Sequence, residues 1–326
     1  MKKFGKWNAL FLIIGVVVVM LSLSGCMAPT FFASAPNTIY VTNLKGNTVS
    51  VINGQTNTVV ATIPVGNEPW AVGVNLMTNM IYIANFYGHT VSVINGQTNN
   101  VVATIPVGNE PYGIGINPMT NMIYVANGYT VSVINGQTNN VIATIHVGTG
   151  PVGIGVNPTT NMIYVANVAD NTVSVINGQT NNVVATIPVG NEPRGVGVNP
   201  TTNMIYVANM YGNTVSVING QTNNVIQTIP VGTGPVEIGI NPTTNMIYVA
   251  NLGNNTVSVI YGYTNTVVQT IPVGYEPIGI GVNPITNAIY VANFGSNTVS
   301  VINGDTNTVV QTIPVGNDPR GVGVLY

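Results

Sequence analysis

The chain has 326 residues, of which only 4% are charged, and a formal net charge of −2. So few cations exclude the basic stripe that nucleic-acid binding requires. They also exclude the ion-pair networks of hyperthermophile proteins, so solubility falls to Asn, Thr, Ser and Gln.

Lys2, Lys3 and Lys6 open the chain, and Ala9 to Leu21 follow as an almost wholly apolar run. Leu23-Ser24-Gly25-Cys26 comes next. A basic start, a short apolar core and small residues describe a secretory signal over residues 1–26. The competing reading is an uncleaved membrane anchor, but the apolar run is shorter than the ~20 residues a spanning helix needs. The small residues before Cys26 resemble the lipobox of bacterial lipoproteins. That resemblance implies cleavage before Cys26, lipid on its thiol, and an extracytoplasmic protein anchored to a membrane. Cys26 is the sole cysteine, so an internal disulfide is excluded, and thiol redox chemistry and cysteine-held metals are not expected. Residues 27–36 read as a short linker. From Cys26 onward only Lys45, Arg194 and Arg320 are positive, against eight acidic residues.

A five-residue phrase then recurs seven times, centred on Tyr40, Tyr82, Tyr124, Tyr164, Tyr206, Tyr248 and Tyr290. Five of the six steps are 42 residues and one is 40. A period near 42 built from short β-type runs predicts a β-propeller with one blade per repeat. In one repeat, Pro69 to Val74, Met80 to Ala84, Thr90 to Ile94 and Val101 to Val107 read as four strands. Asn95-Gly96 between the last two is a strong hairpin signal, because both residues tolerate positive φ. Pro106 and its counterparts Pro64, Pro188, Pro230, Pro272 and Pro314 demote the fourth strand to an outer edge. His146 takes that place in one repeat. Alternating glycines such as Gly113 and Gly115 mark the first strand as crowded around a central axis. They are not a nucleotide fingerprint, since no helix follows to hold a phosphate.

The first repeat begins at its second strand, Thr38 to Thr42, and the chain ends on an isolated first strand, Arg320 to Tyr326. The last strand is therefore expected to complete the first blade. The predicted fold is all-β: a seven-bladed propeller of four-stranded antiparallel blades over residues 37–326, closed by the C-terminal strand.

Ile123-Tyr124-Val125-Ala126-Asn127 and its copies, with Ile39-Tyr40-Val41-Thr42-Asn43, resemble the motif that names the YVTN family of propeller repeats. The phrases Asn-Thr-Val-Ser-Val-Ile and Thr-Ile-Pro-Val-Gly are similar to that family's later strands. The resemblance implies an extracytoplasmic propeller like those of archaeal surface-layer and bacterial envelope proteins. It implies no shared catalytic residues.

Two connections per blade are nearly invariant among the repeats, and two vary. The varying pair joins strands two to three, and strand four to the next blade. They share one face of the disc, so specific recognition is expected on that face. The residue after each blade-opening proline is expected at the channel mouth: Arg320, Trp70, Tyr112, Val152, Arg194, Val236 and Ile278. Loops of the first three blades add Lys45, Phe86, Tyr87, His89 and Tyr129. Aromatics with arginine are the usual composition of a binding hot spot, and would suit stacking on the sugars of an envelope glycan. Covering the channel top is the plainer use of the same rings.

Glu68, Glu110, Glu192, Glu276 and Asp318 share one repeat position before that proline, with Asp170 and Glu237 expected on the same face. Such residues are spread around a wide ring, so a tight metal site is not expected. Accepting backbone N–H bonds within their own turns is their expected role. His89 and His146 fall at different radii, and no serine sits in a nucleophile elbow. No cofactor and no enzyme activity are expected. The chain reads as an interaction module for an envelope protein or surface glycan. An enzyme or redox accessory acting at the channel mouth, for example through His89 and Glu110, is the alternative, as is a passive surface-coat subunit.

Overall fold

A computed structural model describes residues 37–326. The expected signal over 1–26, its lipidated Cys26 and the linker 27–36 lie outside the described residues. Twenty-eight strands form seven four-stranded sheets, every neighbouring pair antiparallel, as the repeat predicts. Blade 2 runs from an inner strand Pro69–Asn75 through Met80–Asn85 and Thr90–Asn95 to an outer strand Asn100–Pro106. Blades 3 to 7 repeat this order. Blade 1 is composite: Pro319–Leu325 pairs as inner strand with Thr38–Asn43. The ring therefore closes by pairing its two ends, with Leu325 opposite Thr38 and Val324 opposite Ile39.

Burial follows from where each strand sits. The second and third strands are covered by blades on both sides, so they carry continuous apolar runs. Ile81, Tyr82, Ile83 and Ala84 have no exposed surface. The outer strand is wet on most of its length, and Ile105 is its only buried residue. Pro106 ends that strand opposite Thr90 and is exposed. A residue without an N–H there blunts the outer edge.

The recurring phrase serves this packing. Each of its tyrosines is buried between blades, and the Tyr40 hydroxyl donates to Asn99 Oδ1 of the next blade at 3.1 Å. The closing asparagine is fully buried: Asn85 Nδ2 donates to Thr90 Oγ1 at 3.0 Å and Ser92 Oγ at 2.9 Å. Six inter-blade links of one kind join the disc, such as Asn75 Nδ2 donating to Asn121 Oδ1 at 2.7 Å. At the seventh junction Leu325 replaces the donor and packs with Tyr40, Ile81 and Ile94 instead. The glycines of the inner strands are there for close approach. A Cβ on Gly113 would collide with the Val152 carbonyl of the next blade, and one on Gly155 would sit 2.7 Å from Val196 Cγ1.

Candidate functional site

Backbone hydrogen bonds fix which loops share a face. Phe86 N–H, in a strand two-to-three loop, donates to the Glu68 carbonyl of the preceding connection at 2.8 Å. Gly96 N–H donates to the Asn79 carbonyl at 2.8 Å on the opposite face. The varying connections therefore do lie together, and the invariant turns lie together on the other side.

On the variable face the acidic column has a different local role from the expected one. Glu68, Glu110, Glu192, Glu276 and Asp318 all have φ between 50° and 56°. Their own N–H groups are held by the neighbouring loop: Glu68 N–H donates to Asn47 Oδ1 at 2.8 Å and Glu110 N–H to His89 Nδ1 at 3.1 Å. Among the described residues none of the five carboxylates accepts a backbone N–H of its own turn; the residue's backbone is the anchored part. Gly150 and Gly234, with φ of 68° and 64°, fill the same position in the two remaining blades. A left-handed backbone strains a non-glycine residue, so five carboxylates stand where glycine is the relaxed choice. Two of them are paired: Asp318 Oδ2 with Lys45 Nζ at 2.8 Å, and Glu192 Oε2 with Arg194 at 3.5 Å. Asp170 Oδ2 accepts the Thr149 N–H at 2.6 Å.

At the centre of this face lies a cavity of about 510 Å³. All seven residues that follow the blade-opening prolines line it, Arg320, Trp70, Tyr112 and Arg194 among them. Its floor is a collar of aliphatic side chains, including Val72, Ile114, Ile154, Val196 and Ile238. The two arginines of the chain both line this one cavity.

The rings from adjoining blades form one cluster. Phe86 stacks on Trp70 with centroids 4.9 Å apart, and Tyr112 meets Trp70 edge-on at 5.2 Å. Phe86 also touches Tyr112 and Tyr87, each at 4.8 Å. The Arg320 guanidinium lies over the indole, 3.2 Å from its centroid, as a cation–π pair. Two expectations need correction here. Phe86 is only 7% exposed, so it supports the cluster from below rather than presenting a surface. The Trp70 ring, covered by Arg320 and backed by Phe86, has little face left for a sugar. Tyr87 and Tyr129 remain open to solvent, at 55% and 72% exposure. His89, with φ of 52°, is spent on the Glu110 N–H.

Electrostatics set the cavity apart. Burial, and then the like charge of Arg194, pull the Arg320 guanidinium down to about 9. Burial, and then Glu110, hold the Tyr112 hydroxyl above the usual phenol range. Glu237 was placed by sequence only on this face; it lies in the cavity wall. Its carboxyl accepts the Ile238 N–H at 3.0 Å, and burial pushes it up to about 7. Its repeat column supplied a signal: Gly113, Gly153, Gly195, Gly279 and Gly321 occupy it, with Ala71 in blade 2. A carboxylate in a glycine column stands out once the repeats are aligned to each other. Phe294 and Met210 of the cavity lining were also missed, because loop residues have no such column. Among the described residues, no group of three His, Cys, Asp or Glu side chains could hold a metal ion.

No protein-family model and no curated protein matches the chain. Solved structures do share its fold. One is a functionally unknown protein from Desulfotomaculum acetoxidans, 17% identical, with a TM-score of 0.80 over 89% of this chain and 99% of the other. A second is hydrazine synthase from Kuenenia stuttgartiensis, 20% identical, with a TM-score of 0.75 over 82% of this chain and 93% of the other. At such identities the likeness concerns the propeller alone.

Proposed function

We propose that the protein is an interaction module of the cell envelope, lipid-anchored at Cys26 and extracytoplasmic, that binds an envelope protein or a surface glycan at its variable face. The motif resemblance to YVTN repeats and the lipobox-like start support the setting. One observation carries the binding role: the Trp70–Phe86–Tyr112 cluster and both arginines converge on one channel mouth. Clustered aromatics and arginine in a desolvated hollow, ringed by polar loops, are what binding hot spots are made of. The opposite face, built from near-identical Asn-rich turns, carries exposed Met77, Met119, Ile285 and Tyr263 in single turns, with neither arginine among them.

Chemistry at the channel mouth is the second reading, and Glu237 is the observation behind it. A carboxyl poised near neutrality in a cavity is the usual state of a general acid or base. A crosslinking capture from native envelope separates the two. The full chain is compared with the triple variant Trp70→Ala, Tyr112→Ala, Arg320→Ala, each shown to be folded by its thermal melt. A partner captured by the parent and lost by the variant supports the interaction module. Identical captures overturn it, and turnover abolished by Glu237→Gln favours the second reading.

A further inference from the structure

We propose that the channel mouth is a receptor for a carboxylate carried on a single ring-sized organic body, such as the acidic sugar at the end of a glycan, gripped between Arg320 and Arg194. This rests on the reading of the mouth as the recognition site and deepens it by naming the ligand chemistry.

Arg320 carries a charge that Glu68 attracts without pairing to it. Among the described residues Arg320 makes no hydrogen bond and no ion pair, and its Nε is buried without a partner. Taking a donor of a cation out of water is costly unless an acceptor replaces the solvent. The indole of Trp70 supplies only a part of that, through its face. Across the cavity, Arg194 Nε is likewise buried and unpartnered. Its one ion pair, to Glu192, is long at 3.5 Å. The two guanidiniums are close enough for the charge of Arg194 to depress Arg320. An anion between them would supply the missing acceptors and turn mutual repulsion into attraction to a shared partner. A guanidinium offers a planar fork of donors that matches a carboxylate.

The surroundings narrow the class further. Stacking fixes the Arg320 plane over Trp70, so less side-chain freedom is lost when a ligand binds. The cavity volume, about 510 Å³, suits one ring-sized ligand rather than a chain segment. Beneath the arginines the floor is aliphatic, which favours an organic body over a bare inorganic ion. Around the mouth Glu68, Glu110 and Glu276 have no ion-pair partner among the described residues, while Asp318 and Glu192 are taken by Lys45 and Arg194. Those rim charges penalise a dianion more than a monoanion, so sulfate is selected against. Glu237 sits in the same wall, beside Gly195 and facing a cavity that Arg194, Arg320 and Glu276 also line. With burial holding it near neutrality, below about pH 7 it carries a proton it can donate to a bound carboxylate.

The test uses the full chain in detergent at pH 6. It is titrated by calorimetry with glucuronate, benzoate, glucose and sulfate. Trp70 is one of two tryptophans, the other being Trp7, so indole fluorescence with a Trp70→Phe control reports the site directly. The expected result is saturable binding of glucuronate, with glucose and sulfate at least tenfold weaker. Arg320→Met and Arg194→Met, each with a parent-like melt, each weaken glucuronate at least tenfold. Benzoate binding without glucuronate binding keeps the carboxylate pocket but assigns it to a free aromatic acid instead of a glycan end. The proposal is overturned if neither acid saturates, if glucose binds equally, or if both arginine variants retain full affinity. Envelope capture tells this failure from that of the broader reading. Capture lost in the triple variant without carboxylate binding leaves the interaction module and removes the pocket. Carboxylate binding with unchanged capture does the reverse.

Discussion

Cutting the chain after residue 318 removes the inner strand Pro319–Leu325 and opens the ring. Leu325 and Val324 are 2% and 7% exposed, and burying each such side chain contributes ~1.5–3 kcal/mol. Their loss also uncovers Ile39, Tyr40 and Val41, which have no exposed surface in the closed ring. Five register pairs between the two chain ends disappear with the strand. Together these amount to at least ~5 kcal/mol, a large share of the ~5–15 kcal/mol by which folded proteins are stable. At ~2–4 °C per kcal/mol for a domain of roughly this size, the melt falls by ~10–20 °C. Differential scanning calorimetry of the full and truncated chains reads the shift. A truncated protein melting within ~2 °C of the parent would show that the seam is not what holds the ring.

Three further outcomes follow from single residues. Gly113→Ala places a Cβ against the Val152 carbonyl, a backbone atom that cannot swing away, and destabilises the protein by ~2–3 kcal/mol in a urea melt. Glu110→Gly releases a left-handed backbone at φ 52°, and the melting temperature stays level or rises, by up to ~1 kcal/mol in stability. Glu237 has a folded value of about 7 against an ordinary 4.5, so the folded state holds its proton longer. Its contribution is complete below about 4.5 and is lost as pH rises through about 7. Because the side chain borders a solvent-reaching cavity, the loss is ~1–3 kcal/mol, and Glu237→Gln removes this slope from stability measured between those values.

The architecture was legible because repetition multiplies weak signals. One Ile-Tyr-Val-Ala-Asn phrase would be an ambiguous apolar run, whereas seven at near-constant spacing leave one architecture. The closing strand was legible from order alone, since Thr38 begins a repeat at its second strand and Arg320 begins a first strand without a successor. The mouth residues after each blade-opening proline were legible for the same reason. What escaped was side-chain packing between blades. Nothing in the spelling of Phe86 says that it lies beneath Trp70, or that Arg320 covers the indole. The acidic column is legible as a shared turn, but its spelling does not say that the turn is left-handed or that Asn47 or His89 holds its N–H. Glu237 needed a comparison down a column of glycines, where a side chain that breaks the crowding rule must have room of its own.

Hydrogen–deuterium exchange of the full chain, with and without isolated envelope material, bears most directly on recognition at the variable face. The prediction is protection in the strand two-to-three loops and blade connections around Phe86, Glu110 and Arg320, with the Asn-Gly turns at Asn95 and Asn177 unchanged. Protection centred on those turns instead, or none on either face, would contradict it.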